Sequence, residues 1–287
     1  MDIALFGGSF DPPHIGHEEI VRLALKNLDI YKLFIMPTFL NPFKNEYFLE
    51  PNLRLNLCKK LWQNLNKVEI CDYEILQNRP VPTIESVKFL YSKFNIKNFY
   101  LIIGADNLNN LYKWYEFNEL KKIVKFVVAT RNDIKIPSNL QKLNLNVKIS
   151  SSNLRKNLDL NFVPDLIKDD VFKIYKRINM EKIIKKIATL LDEKKAENIE
   201  IIDMSDKDYI AKFVVIATTL TGKHSASLLD ELSTTLKPMG EKFLNVETSD
   251  EWSVIDMGDI LIHLMSEKYR AKYNIEEFLD KLKKGEN

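Results

Sequence analysis

Short β-rich apolar runs and helical periods alternate through the first part of the chain. The runs Asp2–Phe6, Lys32–Met36, Val68–Cys71, Phe99–Ile103 and Lys125–Ala129 predict strands. Between them, Ile15–Leu28 predicts a helix, with Ile20, Val21, Ala24, Leu25 and Leu28 on one side. Further helical periods cover Pro51–Trp62, Thr83–Phe94 and Asn107–Glu119. Such alternation predicts an α/β unit: a doubly wound, Rossmann-like parallel sheet with helices on both faces. Around Asp169–Lys195 the pattern becomes one long Lys-rich helical stretch, with Met180 inside it. A second series follows: strands Ile199–Asp203 and Lys212–Thr218, helix Lys223–Leu236, and strands near Phe243–Glu247, Trp252–Asp256 and Ile260–Met265. Helix Ile275–Lys284 closes it. Here one helix sits among consecutive strands, and Asp256–Asp259 reads as a hairpin turn. The expectation is two domains, 1–178 and 179–287, the second a smaller α/β unit with a mixed sheet.

Composition changes this picture little. Lys+Arg 42 against Asp+Glu 40 leaves only +2, so no global field argues for nucleic acid or a membrane surface. No apolar run approaches the ~20 residues of a membrane helix, and no signal-peptide pattern opens the chain. Cys58 and Cys71 are too far apart for a Cys-x-x-Cys site and read as buried reduced thiols. The expected setting is the cytoplasm.

Candidate chemistry concentrates in "GGSFDPPHIGH", Gly7 to His17, at a strand-to-helix junction. Gly7 and Gly8 let a ligand approach the main chain. Pro12 and Pro13 fix φ before a helix, whose first N–H groups and dipole favour an anion. His14 and His17, three apart at that end, share a face and can meet one phosphate. A plain helix cap with incidental histidines would not require the full set.

This segment resembles the signature of the His-x-Gly-His nucleotidylyltransferases. Later blocks resemble the bacterial nicotinate-mononucleotide adenylyltransferases in order: "PTFLNPFK" (Pro37–Lys44), Arg54 in "RLNL", "RPVPTIESV" (Arg79–Val87), "GADNLNNLYKW" (Gly104–Trp114), "ISSSNLR" (Ile149–Arg155) and "VPDLIKDDVFKIY" (Val163–Tyr175). Ser152 stands where the family has Thr and Leu154 where Ile is common. The resemblance implies adenylyl transfer from ATP to nicotinate mononucleotide, giving deamido-NAD and pyrophosphate. It implies a catalytic set of His14, His17 and Arg155, and Gly7, Gly8, Ser9, Phe10, Ser151, Ser152 and Asp106 around ATP. Lys44, Thr83, Trp114 and Tyr115 would hold the nicotinate nucleotide, with Mg²⁺ bound by phosphates and water rather than by the protein. Asp106 reads equally as a helix cap, and Arg131 as a surface or nucleotide-rim charge. Another phosphate acceptor, phosphopantetheine or glycerol phosphate, is the rival within the enzyme class.

In the second half, "TLTGKHS" (Thr219–Ser225) lacks the first glycine and the hydroxyl of a Walker loop. Asp256 and Asp259 fit a tight turn better than a metal pair, and His263 reads as packed in a strand. The segments "KKAENIEIIDM", "DYIAKFVVIATTLTGKHSASLLDEL" and "EWSVIDMGDILIHLM" resemble the ribosome silencing factor family, with Gly-Lys-His at 222–224 replacing its Ser-Arg-His. The resemblance implies binding of large-subunit ribosomal protein uL14 and obstruction of subunit joining. It also implies a frequent dimer, so a homo-oligomer, and no direct DNA contact. Trp252 is the candidate anchor, with Lys223 and His224 as further candidates at the start of the helix Lys223–Leu236. A dimerisation or regulatory appendage without ribosome contact is the alternative.

Overall fold

The computed structural model describes residues 1–130, 134–145, 149, 151–156 and 158–285. Arg131, one of the sequence candidates, and Ser150 lie outside the described residues. The chain divides into two compact units, Met1–Phe172 and Lys173–Asn287.

In the first unit the elements run β1 (Asp2–Gly8), α1 (Ile15–Asn27), β2 (Lys32–Pro37), α2 (Pro51–Trp62), β3 (Val68–Ile70), α3 (Tyr73–Leu76), α4 (Thr83–Lys93) and β4 (Asn98–Gly104). A 3-10 helix (Ala105–Lys113), α5 (Phe117–Ile123), β5 (Lys125–Ala129), β6 (Gln141–Leu143) and α6 (Ser151–Lys156) follow, before α7 (Lys168–Glu193). Among the described residues the strands form one sheet in the order β3-β2-β1-β4-β5-β6, and every pairing is parallel. Because strand side chains alternate, Ala4, Phe6, Leu33 and Ile35 pack with Val21 and Ala24 of α1 and Cys58 and Trp62 of α2 on one face. Ile3, Leu5, Phe34 and Met36 pack with Ile84, Val87 and Leu90 of α4 and Leu120 of α5 on the other. Both faces are covered, as an all-parallel sheet requires. The order turns outward from β1 in both directions, so the carboxyl end of β1 lies at a switch point where ligands bind.

The predicted helix Asn107–Glu119 is corrected. The chain instead makes the 3-10 helix Ala105–Lys113, leaves Trp114 extended, turns through Glu116 at φ 49, and only then enters α5. Leu108, Leu111, Trp114 and Phe117 face the core at a strict spacing of three, which is the period of a 3-10 helix rather than of an α-helix. The four-residue α3, the three-residue β6 and, in the second unit, the short helix Glu267–Tyr273 carried no periodic signal long enough to predict.

The second unit contains β7 (Glu197–Asp203), β8 (Phe213–Thr219), α8 (Gly222–Leu236), β9 (Asn245–Glu247), β10 (Trp252–Asp256), β11 (Ile260–Ser266), α9 (Glu267–Tyr273) and α10 (Ile275–Lys284). Its sheet has the order β7-β8-β11-β10-β9 and is mixed, β8 and β11 pairing parallel and the other neighbours antiparallel. Ile187 and Leu191 of α7 and Leu228 and Leu232 of α8 cover one face over Val215, Ile255 and Ile262. Leu279 of α10 and the rings of Trp252 and Tyr269 cover the other, over Val214, Ile216 and Met265. The β10–β11 connection is the expected turn: Gly258 sits at φ 86 and donates its N–H to Asp256 Oδ1 at 2.7 Å. Asp259 pairs with Lys176 at 2.6 Å.

Candidate active site

The two histidines stand where the sequence placed them. Ile15 opens α1 with His14 as its N-cap. The imidazoles of His14 and His17 stack with ring centroids 3.7 Å apart and planes 20° from parallel. The His14 backbone N–H donates to His17 Nδ1 at 3.2 Å. With Nδ1 accepting, a neutral His17 carries its proton on Nε2, which is then a donor. Gly16 leaves room for this stack: a Cβ there would lie 3.0 Å from the His14 ring and 3.1 Å from Ile149.

Beneath the pair, Phe10 is 1% exposed at φ 47 and meets the His17 ring edge-on at 4.9 Å and Trp62 at 5.7 Å. Its chief contacts are therefore with the protein, as a floor under His17. Asp11 accepts the backbone N–H groups of Phe48 and Leu49, both at 2.9 Å. Arg54 is buried, and its guanidinium donates to the carbonyls of Leu49, Ser9, Thr38 and Phe39 at 2.7–2.9 Å. Burial, opposed by Asp11, pulls its pKa down. Four carbonyls from three segments thus converge on one rigid fork.

A cleft of about 530 Å³ opens at the carboxyl ends of the strands. Gly7, Gly8, Ser9, His14, His17, Ser151 and Ser152 line it, as do Lys44, Thr83, Asp106, Trp114 and Tyr115. The structure thereby gathers onto one surface residues from six separated stretches of sequence. Gly104 permits a further close approach, since a Cβ there would collide with Asp106 Oδ1. The Lys44 ammonium is held below its ordinary pKa by desolvation first and by Arg155 second.

Arg155 differs from the others. Its guanidinium donates to the Asp11 carbonyl at 2.6 Å and to Ser152 Oγ at 3.1 Å, and does not line the cleft. Ser151 Oγ donates to the Pro12 carbonyl at 3.3 Å. The start of α6 is therefore fastened to the turn that carries His14.

Two residues of the site escaped sequence reasoning. The wiring of Arg54 had a signal: Arg54, Cys58 and Trp62 recur every four residues, which puts a guanidinium on the buried stripe of α2. Glu74, on the very short α3, had none. It is 5% exposed, lines the cleft, and accepts a hydrogen bond from Ser86 at 2.6 Å.

In the second unit, Trp252 donates its indole N–H to His263 Nδ1 at 3.2 Å and packs on Tyr273 at 5.1 Å. His263 is buried as expected, and burial lowers its pKa to about 4. His224 Nδ1 accepts from Leu220 N–H at 3.2 Å and its Nε2 lies 2.9 Å from the Lys194 carbonyl, tying the start of α8 to the end of α7. Ser253 faces α8, bonded to Ser225 at 3.0 Å, so the alternation of β10 turns Trp252 to the opposite sheet face. The structure therefore does not bring Trp252 together with Lys223 and His224.

Among the described residues no helix is long and apolar enough to cross a membrane. No group of three or more His, Cys, Asp or Glu side chains able to hold a metal occurs among them.

Residues 5–157, which hold the parallel sheet and the paired imidazoles at the tip of α1, match the family profile described as cytidylyltransferase-like. Two curated relatives carry the description probable nicotinate-nucleotide adenylyltransferase. That of Campylobacter fetus subsp. fetus (strain 82-40) is 59% identical over 62% of this chain and 99% of its own length. That of Sulfurimonas denitrificans is 49% identical over 61% and 94%. The chain belongs to the nicotinate-nucleotide adenylyltransferase family. It carries a second, fused domain: residues 177–286 match the profile described as ribosomal silencing factor during starvation. A solved Plasmodium falciparum nicotinic acid mononucleotide adenylyltransferase complexed with NaAD shares the first unit's fold, with TM-score 0.52 and 24% identity over 61% of this chain and 97% of that one.

Proposed function

We propose that the first unit transfers the adenylyl group of ATP to nicotinate mononucleotide. The acceptor's phosphate oxygen forms a bond to the α-phosphorus while the bond to pyrophosphate breaks, and pyrophosphate leaves with that electron pair. The nucleophile is already anionic, so the protein needs no Ser, Cys or Lys nucleophile. Its work is alignment and stabilisation of spreading negative charge. The observation that carries this reading is the stacked His14–His17 pair at the tip of α1, opening on one cleft with Thr83, Trp114 and Tyr115.

In this reading His14 and His17 meet the triphosphate, with His17 Nε2–H as a donor. Gly7, Gly8, Ser9, Ser151, Ser152 and Asp106 surround ATP, and Phe10 supports them from below. Lys44 attracts the acceptor phosphate. Trp114 offers a flat face to the pyridine ring, beside Thr83 and Tyr115. Arg155 is a positioning residue that holds the Asp11–Pro12 turn beneath His14. The imidazoles, hydroxyls and main-chain amides at the tip are ligands for anions, which fits Mg²⁺ arriving on the triphosphate with its own water. Bound there, Mg²⁺ would neutralise charge on the departing pyrophosphate. A panel of acceptors with ATP and Mg²⁺ tests the assignment: pyrophosphate with nicotinate mononucleotide supports it, and turnover of phosphopantetheine or glycerol phosphate alone contradicts it.

For the second domain, taken as 179–287, we infer binding to the large ribosomal subunit through uL14 and obstruction of subunit joining. The profile match over residues 177–286 supports this reading. Trp252, partly exposed at its rim, is the proposed anchor; Lys223 and His224 belong to the helix over the other sheet face. Both activities imply a cytoplasmic setting. Cosedimentation of the full chain with 50S subunits tests it, and no association with 50S would favour an appendage of the enzyme.

A further inference from the structure

Lys44 stands on an exposed crest whose two ends are gripped by buried charged side chains. Between β2 and α2 the chain forms neither helix nor strand, and Pro42, Phe43, Lys44, Asn45 and Glu46 are exposed. Asn41 to Lys44 line the cleft, and the N–H groups of Phe43 and Lys44 both donate back to Asn41 at 2.9 Å, closing the turn on itself. At the near end Arg54 takes the carbonyls of Thr38 and Phe39. At the far end two charges hold one residue: the Leu49 carbonyl accepts from Arg54, and the Leu49 N–H donates to Asp11 Oδ1 at 2.9 Å. Asp11 Oδ2 accepts the Phe48 N–H at 2.9 Å. Asp11 is 3% exposed and does not line the cleft. It precedes His14 by three residues, in the turn that opens α1, and its own carbonyl is held by Arg155 at 2.6 Å. The carboxylate therefore ties the far end of the crest to the turn that carries the histidines.

We propose that Asp11 is a positioning residue for the transfer, setting through the Phe48 and Leu49 amides the separation between Lys44 and the His14–His17 pair. The proposal rests on the reading of this cleft as a nucleotidyl-transfer site in which Lys44 attracts the acceptor phosphate. Lys44 then draws one substrate and the imidazoles the other. The register between them decides how the acceptor oxygen meets the α-phosphorus, and a misplacement of about 1 Å costs on the order of 10²-fold in rate.

The chemistry of the tether suits this role. Hydrogen bonds to an ionised acceptor are about twice as strong as neutral ones, and Asp11 makes two of them to adjacent amides. Arg54 cannot take over that grip, because a guanidinium only donates and the two amides need an acceptor. A crest tied down before the acceptor arrives loses less conformational freedom on binding. The charge of Asp11 also reaches Lys44: desolvation and Arg155 lower the Lys44 pKa, and Asp11 opposes them.

The test is a double-mutant cycle between Asp11→Asn and Lys44→Ala in the full chain, read as steady-state pyrophosphate release with ATP, Mg²⁺ and nicotinate mononucleotide. Asparagine keeps the size of the side chain and one acceptor oxygen, but turns an N–H donor toward the second amide. Asp11→Asn alone should lower kcat/KM for nicotinate mononucleotide by about 10–10²-fold, with KM for ATP within about twofold of the wild type. In the Lys44→Ala background the same substitution should add less than about threefold, because the group it positions is gone. A purely structural carboxylate would give effects that multiply, or a KM for ATP that rises in step with that for nicotinate mononucleotide; either result overturns the proposal. Should Asp11→Asn fail to fold, hydrogen exchange on the wild type decides. The Phe48 and Leu49 amides should be protected before any nucleotide is added, and exchange as fast as that of Asn45 and Glu46 overturns the proposal. A wild type that releases pyrophosphate while the two effects multiply removes only the role of Asp11. A wild type that releases none removes the reading of the cleft as well.

Discussion

His14 donates its backbone N–H to His17 Nδ1, and the two imidazoles stack at 3.7 Å. One bond thus fixes the tautomer of one ring and the spacing of both. Truncating His17 to Ala removes the proposed phosphate donor together with the acceptor that orders the His14 N–H. We expect kcat to fall by about 10²–10³-fold, with near-wild-type far-ultraviolet circular dichroism. Stopped-time pyrophosphate assays read the first and a thermal melt the second. Wild-type turnover in His17→Ala would remove the imidazole pair from the chemistry.

Arg54 spans the loop after β1, the end of β2 and the segment before α2 through four carbonyl contacts. Lysine keeps the charge but cannot reproduce the planar fork. Arg54→Lys leaves carbonyls buried and unsatisfied, so stability should drop by about 3 kcal/mol. Activity should fall further than stability alone explains, because Ser9 and Thr38 both line the cleft. Urea midpoints and kcat/KM below the transition check this.

The second unit should be acid-sensitive through His263. Its folded pKa is lowered to about 4 by burial, with Glu276 opposing, against about 6.5 when unfolded. A base with a depressed folded pKa contributes stability that is complete above about pH 6.5. That contribution is lost as pH falls toward 4, in all roughly 3 kcal/mol. Urea unfolding followed by tryptophan fluorescence should show His263→Gln losing less stability than the wild type between pH 6.5 and 4. Parallel losses would contradict this.

Glu74 makes the opposite prediction for the first unit. Its folded pKa is raised to about 7, so its contribution is fully present below about pH 4.5 and disappears as pH rises through 7. Glu74→Gln should therefore gain on the wild type by up to roughly 3 kcal/mol at about pH 8 and not at about pH 4.5. Denaturant midpoints at the two pH values measure the difference.

What the sequence disclosed follows from the range of the forces involved. The segment Gly7–His17 is legible because a close main-chain approach, a fixed helix entry and two imidazoles on one face each demand particular residue types at local spacings. The longer strands of both sheets are legible because their apolar runs are long, whereas the three-residue β6 is not. The helix expected at Asn107–Glu119 fails because its core-facing residues Leu108, Leu111, Trp114 and Phe117 recur every three residues, the period of a 3-10 helix. The bonds of Arg155 to the Asp11 carbonyl and of Ser151 to the Pro12 carbonyl join positions far apart in sequence. No local pattern announces such long-range pairings. Glu74 is invisible for a related reason, since its burial depends on how α3 and α4 meet rather than on its neighbours in the chain.

In the proposed reaction, the cleft above His14 and His17 joins the adenylyl group of ATP to nicotinate mononucleotide. Purified full-length protein, supplied with both and Mg²⁺, should form deamido-NAD and pyrophosphate in equal amounts as followed by phosphorus magnetic resonance. Absence of both products, from protein shown to be folded, would contradict it.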